Sequence, residues 1–230
     1  MQLSKPDPTV PTGMVEYRDP TTSPSCFVAG TLVHTKDGLK PIEQIKVGDY
    51  VLSKPDSGVG EQEYKRVTET FVRDGQDIWL VQYIVSGEKT SRALVVTGNH
   101  PIWKEHVGWT TVNNLKGGDG LRLHCNDNDA WVFRVISVYE TDTPDVGWAG
   151  GRNTNGIDYG DGPTVDLREG GGKVNQLPED SVCDDVGGLL RRQVFNIEVE
   201  DFHTYYVGEA GVWVHNVCPN IYGDTSIATH

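Results

Sequence analysis

No stretch of about 18 consecutive apolar residues occurs in the 230-residue chain, so no segment reads as a membrane-spanning helix. Basic residues are outnumbered. The 20 Lys and Arg stand against 33 Asp and Glu, for a formal charge of −13. That balance argues against a nucleic-acid partner and against an anionic membrane surface, both of which need basic patches. The opening residues Met1-Gln2-Leu3-Ser4-Lys5-Pro6 lack the apolar core of a signal peptide, as expected if this is one piece of a longer chain. Cysteine is scarce. Cys26, Cys125, Cys183 and Cys218 allow three disulfide pairings. A chain of this length needs no covalent staples, and no pair has Cys-x-x-Cys spacing. Mostly reduced thiols, no metal site and no cofactor are expected.

What is present is turn-rich β composition. Residues 1–25 read as an extended flanking segment punctuated by Pro6, Pro8, Pro11, Pro20 and Pro24, too polar to bury a core. An apolar pattern begins at Cys26. Strands are predicted at Tyr50–Ser53, Tyr64–Val72, Ile78–Val85, Ala93–Thr97 and Trp131–Tyr139, where Val, Ile, Thr, Tyr and Trp concentrate between turn residues. One short helical turn is predicted, at Pro41–Ile45. Residues 141–191, with many aspartates and Gly170-Gly171-Gly172, read as a long, poorly ordered insertion. Strand character returns at Gln193–Val199, Thr204–Val207 and Val212–Val214. No internal repeat is evident at a fixed spacing. One all-β domain, 26–216, is therefore expected between flanking segments 1–25 and 217–230.

Four local features carry chemistry. Cys26 opens the domain, Thr97-Gly98-Asn99-His100-Pro101 follows a strand, His203 lies between two strands, and Val214-His215-Asn216 closes the domain. Singly, each has an ordinary structural reading, since cysteine is often a small buried residue and Thr, His and Asn are common in turns. His34 reads as structural or exposed, Cys125 as a small buried residue and Cys183 as a loop thiol. His106, His124 and Cys125 read as structural rather than metal-binding.

In order and together, Cys26, Thr97, His100, His203, His215 and Asn216 resemble the motif residues of the Hint superfamily. These are the self-processing domains of inteins, bacterial intein-like proteins and hedgehog C-terminal regions. The supporting segments are Cys26–Thr31, Gly38–Ser53, Thr97–His100, Val194–Tyr205 and Val214–Asn216. The resemblance covers about 26–140 and 192–216. It is closest in character to Hint domains upstream of toxin modules in bacterial polymorphic toxins, or to bacterial intein-like domains. It implies a horseshoe-like, pseudo-symmetric all-β fold, a monomer, and a module of a larger secreted or surface bacterial protein whose substrate is its own flanking segments.

The resemblance also implies a chemistry. Cys26 attacks the Ser25 carbonyl to turn an amide into a thioester. The His100 position protonates the leaving nitrogen, and Thr97 orients the scissile peptide or bonds the developing oxyanion. Asn216 cyclises with help from His215 and His203 and breaks the bond to Val217. Two departures matter. Val217 stands where splicing inteins carry Cys, Ser or Thr, so cleavage is expected over splicing, with ligation as a minor outcome. Cys218, one residue on, does not replace that nucleophile. Asn196 stands where many inteins carry an acid, and with Asp201 and Cys218 it is a candidate modulator. The sequence leaves open whether Cys183 or Cys218 pairs with Cys26 as a redox latch. The competing readings are a silent Hint-fold scaffold and a cysteine hydrolase acting in trans.

Overall fold

The structure, a computed structural model, describes residues 25–125, 130–150, 162–175 and 187–216. It also describes, as backbone only, the short strands Val15–Glu16, Gly151–Arg152 and Asp158–Tyr159. Among the described residues the architecture is all-β, as the composition predicts, with two 3-10 turns at Ile42–Gln44 and Val112–Asn114. The first falls in the predicted turn. The second gave no sequence signal, because it carries no proline.

One strand of 23 residues, Glu63–Val85, organises the sheet. Two separate strands are predicted here, with Asp74 and Gly75 between them. The chain does bend there, with Gly75 at φ 64°, and the register slips opposite Gln193, between Arg192 and Val194. Pairing continues through the bend, because Arg191–Val199 bonds to the long strand on both sides of it. The turn residues mark a bulge within one strand.

A repeat emerges that spacing alone does not reveal. Leu32–Thr35 and Gly38–Pro41 form a hairpin that runs into the first 3-10 turn and then Tyr50–Ser53. Pro101–Lys104, Gly108–Thr111, the second 3-10 turn and Gly120–Leu121 repeat that path. Matching bonds pin each copy. The Lys46 N–H donates to the Asp49 carboxylate at 2.9 Å, and the Lys116 N–H to the Asp119 carboxylate at 2.9 Å. Ile42 and Ile45 are buried in one copy, Val112 and Leu115 in the other. Besides the buried and capping positions, Gly38 and Gly108, Lys46 and Lys116, and Gly48 and Gly118 are identical between the copies, while most other positions diverge.

The insertion is corrected where it is described. Val146–Trp148, Thr164–Asp166 and Lys173–Asn175 form a four-stranded sheet with Tyr139–Glu140. Ala149 and Val165 are buried with Val28, Ile78 and Val95 in a second apolar cluster. The three glycines are closely packed rather than loose. Gly171 N–H donates to Ala29 O at 2.6 Å. All three have positive φ, and a Cβ on Gly172 would meet Val95 Cγ2 at 2.4 Å. Glycine is needed there for close approach, not flexibility.

Pairing brings the two ends of the domain to one place. Phe27–Val28 lies between Arg191–Val199 and Arg92–Thr97, with Phe27 opposite both Phe195 and Val96. That register sets Cys26 between Asn196 and Thr97. Val212–His215 pairs with Thr204–Val207 and with Pro101–Lys104, Val214 lying opposite Ile102. Continued two residues, the antiparallel register brings Asn216 level with His100.

Candidate functional site

The peptide bond between Ser25 and Cys26 is held at both polar ends. The Cys26 N–H donates to Thr97 Oγ1 at 2.9 Å, and the Asn196 Nδ2 amide donates to Ser25 O at 2.7 Å. Ser25, Cys26, Thr97 and Asn196 are all buried. Of the two roles expected for Thr97, this bond matches orientation of the peptide. The group directed at the carbonyl is Asn196. The turn from Thr97 closes with His100 N–H on Thr97 O at 3.1 Å, and Val112 N–H on His100 O fixes it from the second hairpin.

His100 is fully buried, with its ring 4.2 Å from that of Phe27. Burial pushes its pKa down to about 3; the nearby His215 adds to the fall, and the Ser25 backbone opposes it. Neither ring nitrogen makes a well-formed hydrogen bond among the described residues. At neutral pH this imidazole is uncharged, beside the Ser25–Cys26 peptide.

Asn216 is buried, with its backbone N–H on His203 O at 2.9 Å and its Nδ2 donating to Ile197 O at 3.0 Å. Its Oδ1 has no partner among the described residues. His215 is pushed down to about 4, chiefly by burial, and the Asp56 carboxylate opposes the fall. Its Nε2 lies 3.9 Å from Asp56 Oδ2, and its ring meets Trp109 edge-on at 5.0 Å. Trp109 Nε1–H holds the Asp56 carbonyl at 2.9 Å, which fixes that loop. His203 stands in left-handed backbone, φ 53°, with Nδ1 2.7 Å from Glu198 Oε1.

The strand Arg191–Val199 therefore bridges the two ends, with Asn196 on the Ser25 carbonyl and the Ile197 carbonyl on the Asn216 amide. Thr97, His100, Asn196, Cys26, His215 and Asn216 are brought together, with His203 at the rim. Asp201 is not brought in. Its exposed carboxylate pairs with Lys65 at 3.2 Å. Val217, Cys183 and Cys218, and with them the redox latch, lie outside the described residues. Strand alternation does not place Glu198, and the sequence carries no local signal for Asp56 or Tyr205. Their contacts depend on cross-strand register, which no local pattern encodes.

Cys125 is exposed, contrary to expectation, with Sγ 3.2 Å from His124 Nε2, because it lies in a bend just past the bridge from Leu123 to Val212. His34 is half-buried and bonded to Gly208 O at 2.8 Å, with its ring 4.5 Å from that of His124. Among the described residues, no group of three or more His, Cys, Asp or Glu is placed to hold a metal.

A family model, the pretoxin Hint domain, matches residues 32–142. A bacterial intein-like domain from Clostridium thermocellum aligns at 27% identity with a TM-score of 0.51, covering 83% of this chain and 98% of that one. Over residues 32–142 the chain matches the Hint family model, and its all-β architecture is that of Hint and intein domains. A DnaB intein from Synechocystis shares the Hint fold at 10% identity and a TM-score of 0.50, over 84% of this chain and 98% of that chain. No curated protein matches. The Hint horseshoe accounts for the duplicated hairpin paths and the joined ends.

Proposed function

We propose that the domain cuts its own chain at two places, after Ser25 and after Asn216. The observation that carries this reading is the two-ended grip on the Ser25–Cys26 peptide, with a neutral buried imidazole beside it. Any buried peptide needs both polar ends paired; what favours a site here is that the partners are side chains, Thr97 and Asn196, with a buried imidazole beside them.

Burial leaves His100 uncharged at neutral pH, so the proton it gives to the Cys26 nitrogen is one relayed from the Cys26 thiol as sulfur adds to the Ser25 carbonyl, not one held beforehand. His100 takes the Cys26 thiol proton, and the thiolate sulfur adds to the Ser25 carbonyl carbon. Asn196 Nδ2 faces the oxygen that becomes negative, and one such donor is typically worth roughly 2.7–4 kcal/mol. His100 then passes its proton to the Cys26 nitrogen as the carbon–nitrogen bond breaks. The product is a thioester between Ser25 and Cys26 Sγ with a free Cys26 amine. Water hydrolyses it to a Ser25 carboxylate.

At the other end Asn216 Nδ2 attacks the Asn216 carbonyl carbon. A succinimide ring closes and the bond to Val217 breaks, the proton lost by Nδ2 reaching the Val217 nitrogen through His215. The aromatic wall of Trp103, Trp109 and Trp213 limits water there. Because Val217 has no nucleophile, the two cuts release the flanking segments, and ligation between Ser25 and Val217 is minor. The pretoxin match suits release of a flanking module of a larger bacterial protein, the module itself being unspecified.

The test uses Asn216→Ala protein with a folded domain fused ahead of residue 1, incubated near neutral pH with and without dithiothreitol. A fragment ending at Ser25 that dithiothreitol accelerates, and that Cys26→Ala abolishes, is the expected result. No thiol-dependent fragment over days would contradict the thioester step.

A further inference from the structure

We propose that Tyr205 is a positioning residue for the Ser25 carbonyl: its hydroxyl sets the Asn196 side chain as a polarised donor aimed at the scissile bond. The proposal rests on the cleavage reading above and deepens it at the Ser25 end.

The geometry is a three-member relay. Tyr205 OH donates to Asn196 Oδ1 at 2.7 Å, and Asn196 Nδ2 donates to Ser25 O at 2.7 Å. A second donor, the Ile197 N–H, reaches the same Oδ1 at 2.8 Å. These bonds fix which end of the amide is which. With the ends exchanged, the NH2 group would face the Ile197 N–H and the oxygen would face Ser25 O. Both meetings are repulsive in a buried site. The ring of Tyr205 is fully buried and edge-on to Phe27 at 6.3 Å, and Phe27 in turn packs on His100. The phenol thus enters the site from the strand Thr204–Val207, across from the scissile peptide.

Two donors on Oδ1 draw electron density through the amide and make its N–H a stronger donor. They also hold the side chain against rotation, so the donor is in place before charge develops. Burial keeps the phenol protonated, so it donates at any working pH. Asparagine thereby acquires a specific meaning at 196. An aspartate there would present an acceptor to Ser25 O and lose the contact.

The test compares Tyr205→Phe, Asn196→Ala, Asn196→Asp and the double Tyr205→Phe/Asn196→Ala variant. Cleavage after Ser25, driven by dithiothreitol, is timed beside cleavage after Asn216 in the same molecules. Tyr205→Phe should slow the first about tenfold and leave the second within about twofold. Asn196→Ala and Asn196→Asp should slow the first further, and the double variant should match Asn196→Ala, since Tyr205 acts only through Asn196. A second readout needs no turnover. In full-length Cys26→Ala protein with a 13C-labelled Ser25 carbonyl, Tyr205→Phe should move the carbonyl resonance toward that of Asn196→Ala.

Equal slowing of both cleavages, no slowing, or an additive double variant would overturn the proposal. If the wild-type chain cleaves nowhere, the functional reading fails on its own. The labelled carbonyl then decides alone: a shift with Tyr205→Phe upholds the positioning role, and an unmoved resonance overturns it.

Discussion

At the residue scale the decisive quantity is the charge state of two buried histidines. His100 and His215 hold pKa values of about 3 and about 4, whereas an unfolded histidine titrates near 6.5. Above about pH 6.5 both states are neutral at these residues and stability is flat. Below it the unfolded chain takes up protons that the folded chain refuses, so stability falls as pH drops from about 6.5 toward about 4. The paired carboxylates Asp49, Glu105, Asp119 and Asp166, all held below their ordinary range, add a further loss below about pH 4.5. Chemical denaturation across pH 4 to 8 measures this. His100→Asn should flatten the upper part of the fall, and an unchanged slope would contradict the assignment. At the rim, Glu198 holds His203 Nδ1 and thereby fixes which nitrogen is available. Glu198→Gln should slow cleavage after Asn216 about tenfold and spare cleavage after Ser25, read by timed mass spectra.

At the element scale the approach of the insertion to the start of the domain is the feature most open to test. A Cβ on Gly30 would lie 2.3 Å from Gly171 N and 2.6 Å from Gly170 C, and Gly30 has φ 81°. The obstructing atoms are backbone, so the insertion has to shift as a unit. Gly30→Ala should therefore destabilise the fold by about 2–4 kcal/mol, from left-handed strain plus overpacking. Equilibrium unfolding reads this. A change under about 0.5 kcal/mol would mean that the glycine triplet does not pack on Ala29–Gly30. This is also where the sequence was least legible. Glycine count reads as looseness until the partner surface is known, and a continuous strand with a bulge reads as two strands with a turn. The strands Tyr50–Ser53, Arg92–Thr97 and Thr204–Val207 were legible because their residues alternate or cluster apolar side chains on a buried face.

At the scale of the whole molecule, the order of Cys26, Thr97, His100, His203, His215 and Asn216 along the chain carried the family resemblance. Their meeting point was not in the order. It comes from the register of Phe27 with Phe195 and Val96 and of Val214 with Ile102, set by packing across the sheet. That closure couples the two ends in space; on the proposed chemistry each end has its own nucleophile, so each cut should fail separately. On that proposed chemistry, Val217 decides the products. Val217→Cys should raise the share of ligated product several-fold, measured as the Ser25-to-217 junction by peptide mapping, because it restores a thiol that can take the acyl group. An unchanged share would place the barrier to ligation elsewhere.

The most direct measurement is the intact mass, over time near neutral pH, of the chain carrying a folded domain at each end, run beside Cys26→Ala and Asn216→Ala. The account predicts fragments ending at Ser25 and at Asn216, the first lost only in Cys26→Ala and the second only in Asn216→Ala. A precursor that stays whole in all three would contradict it and leave the Hint fold as a silent scaffold.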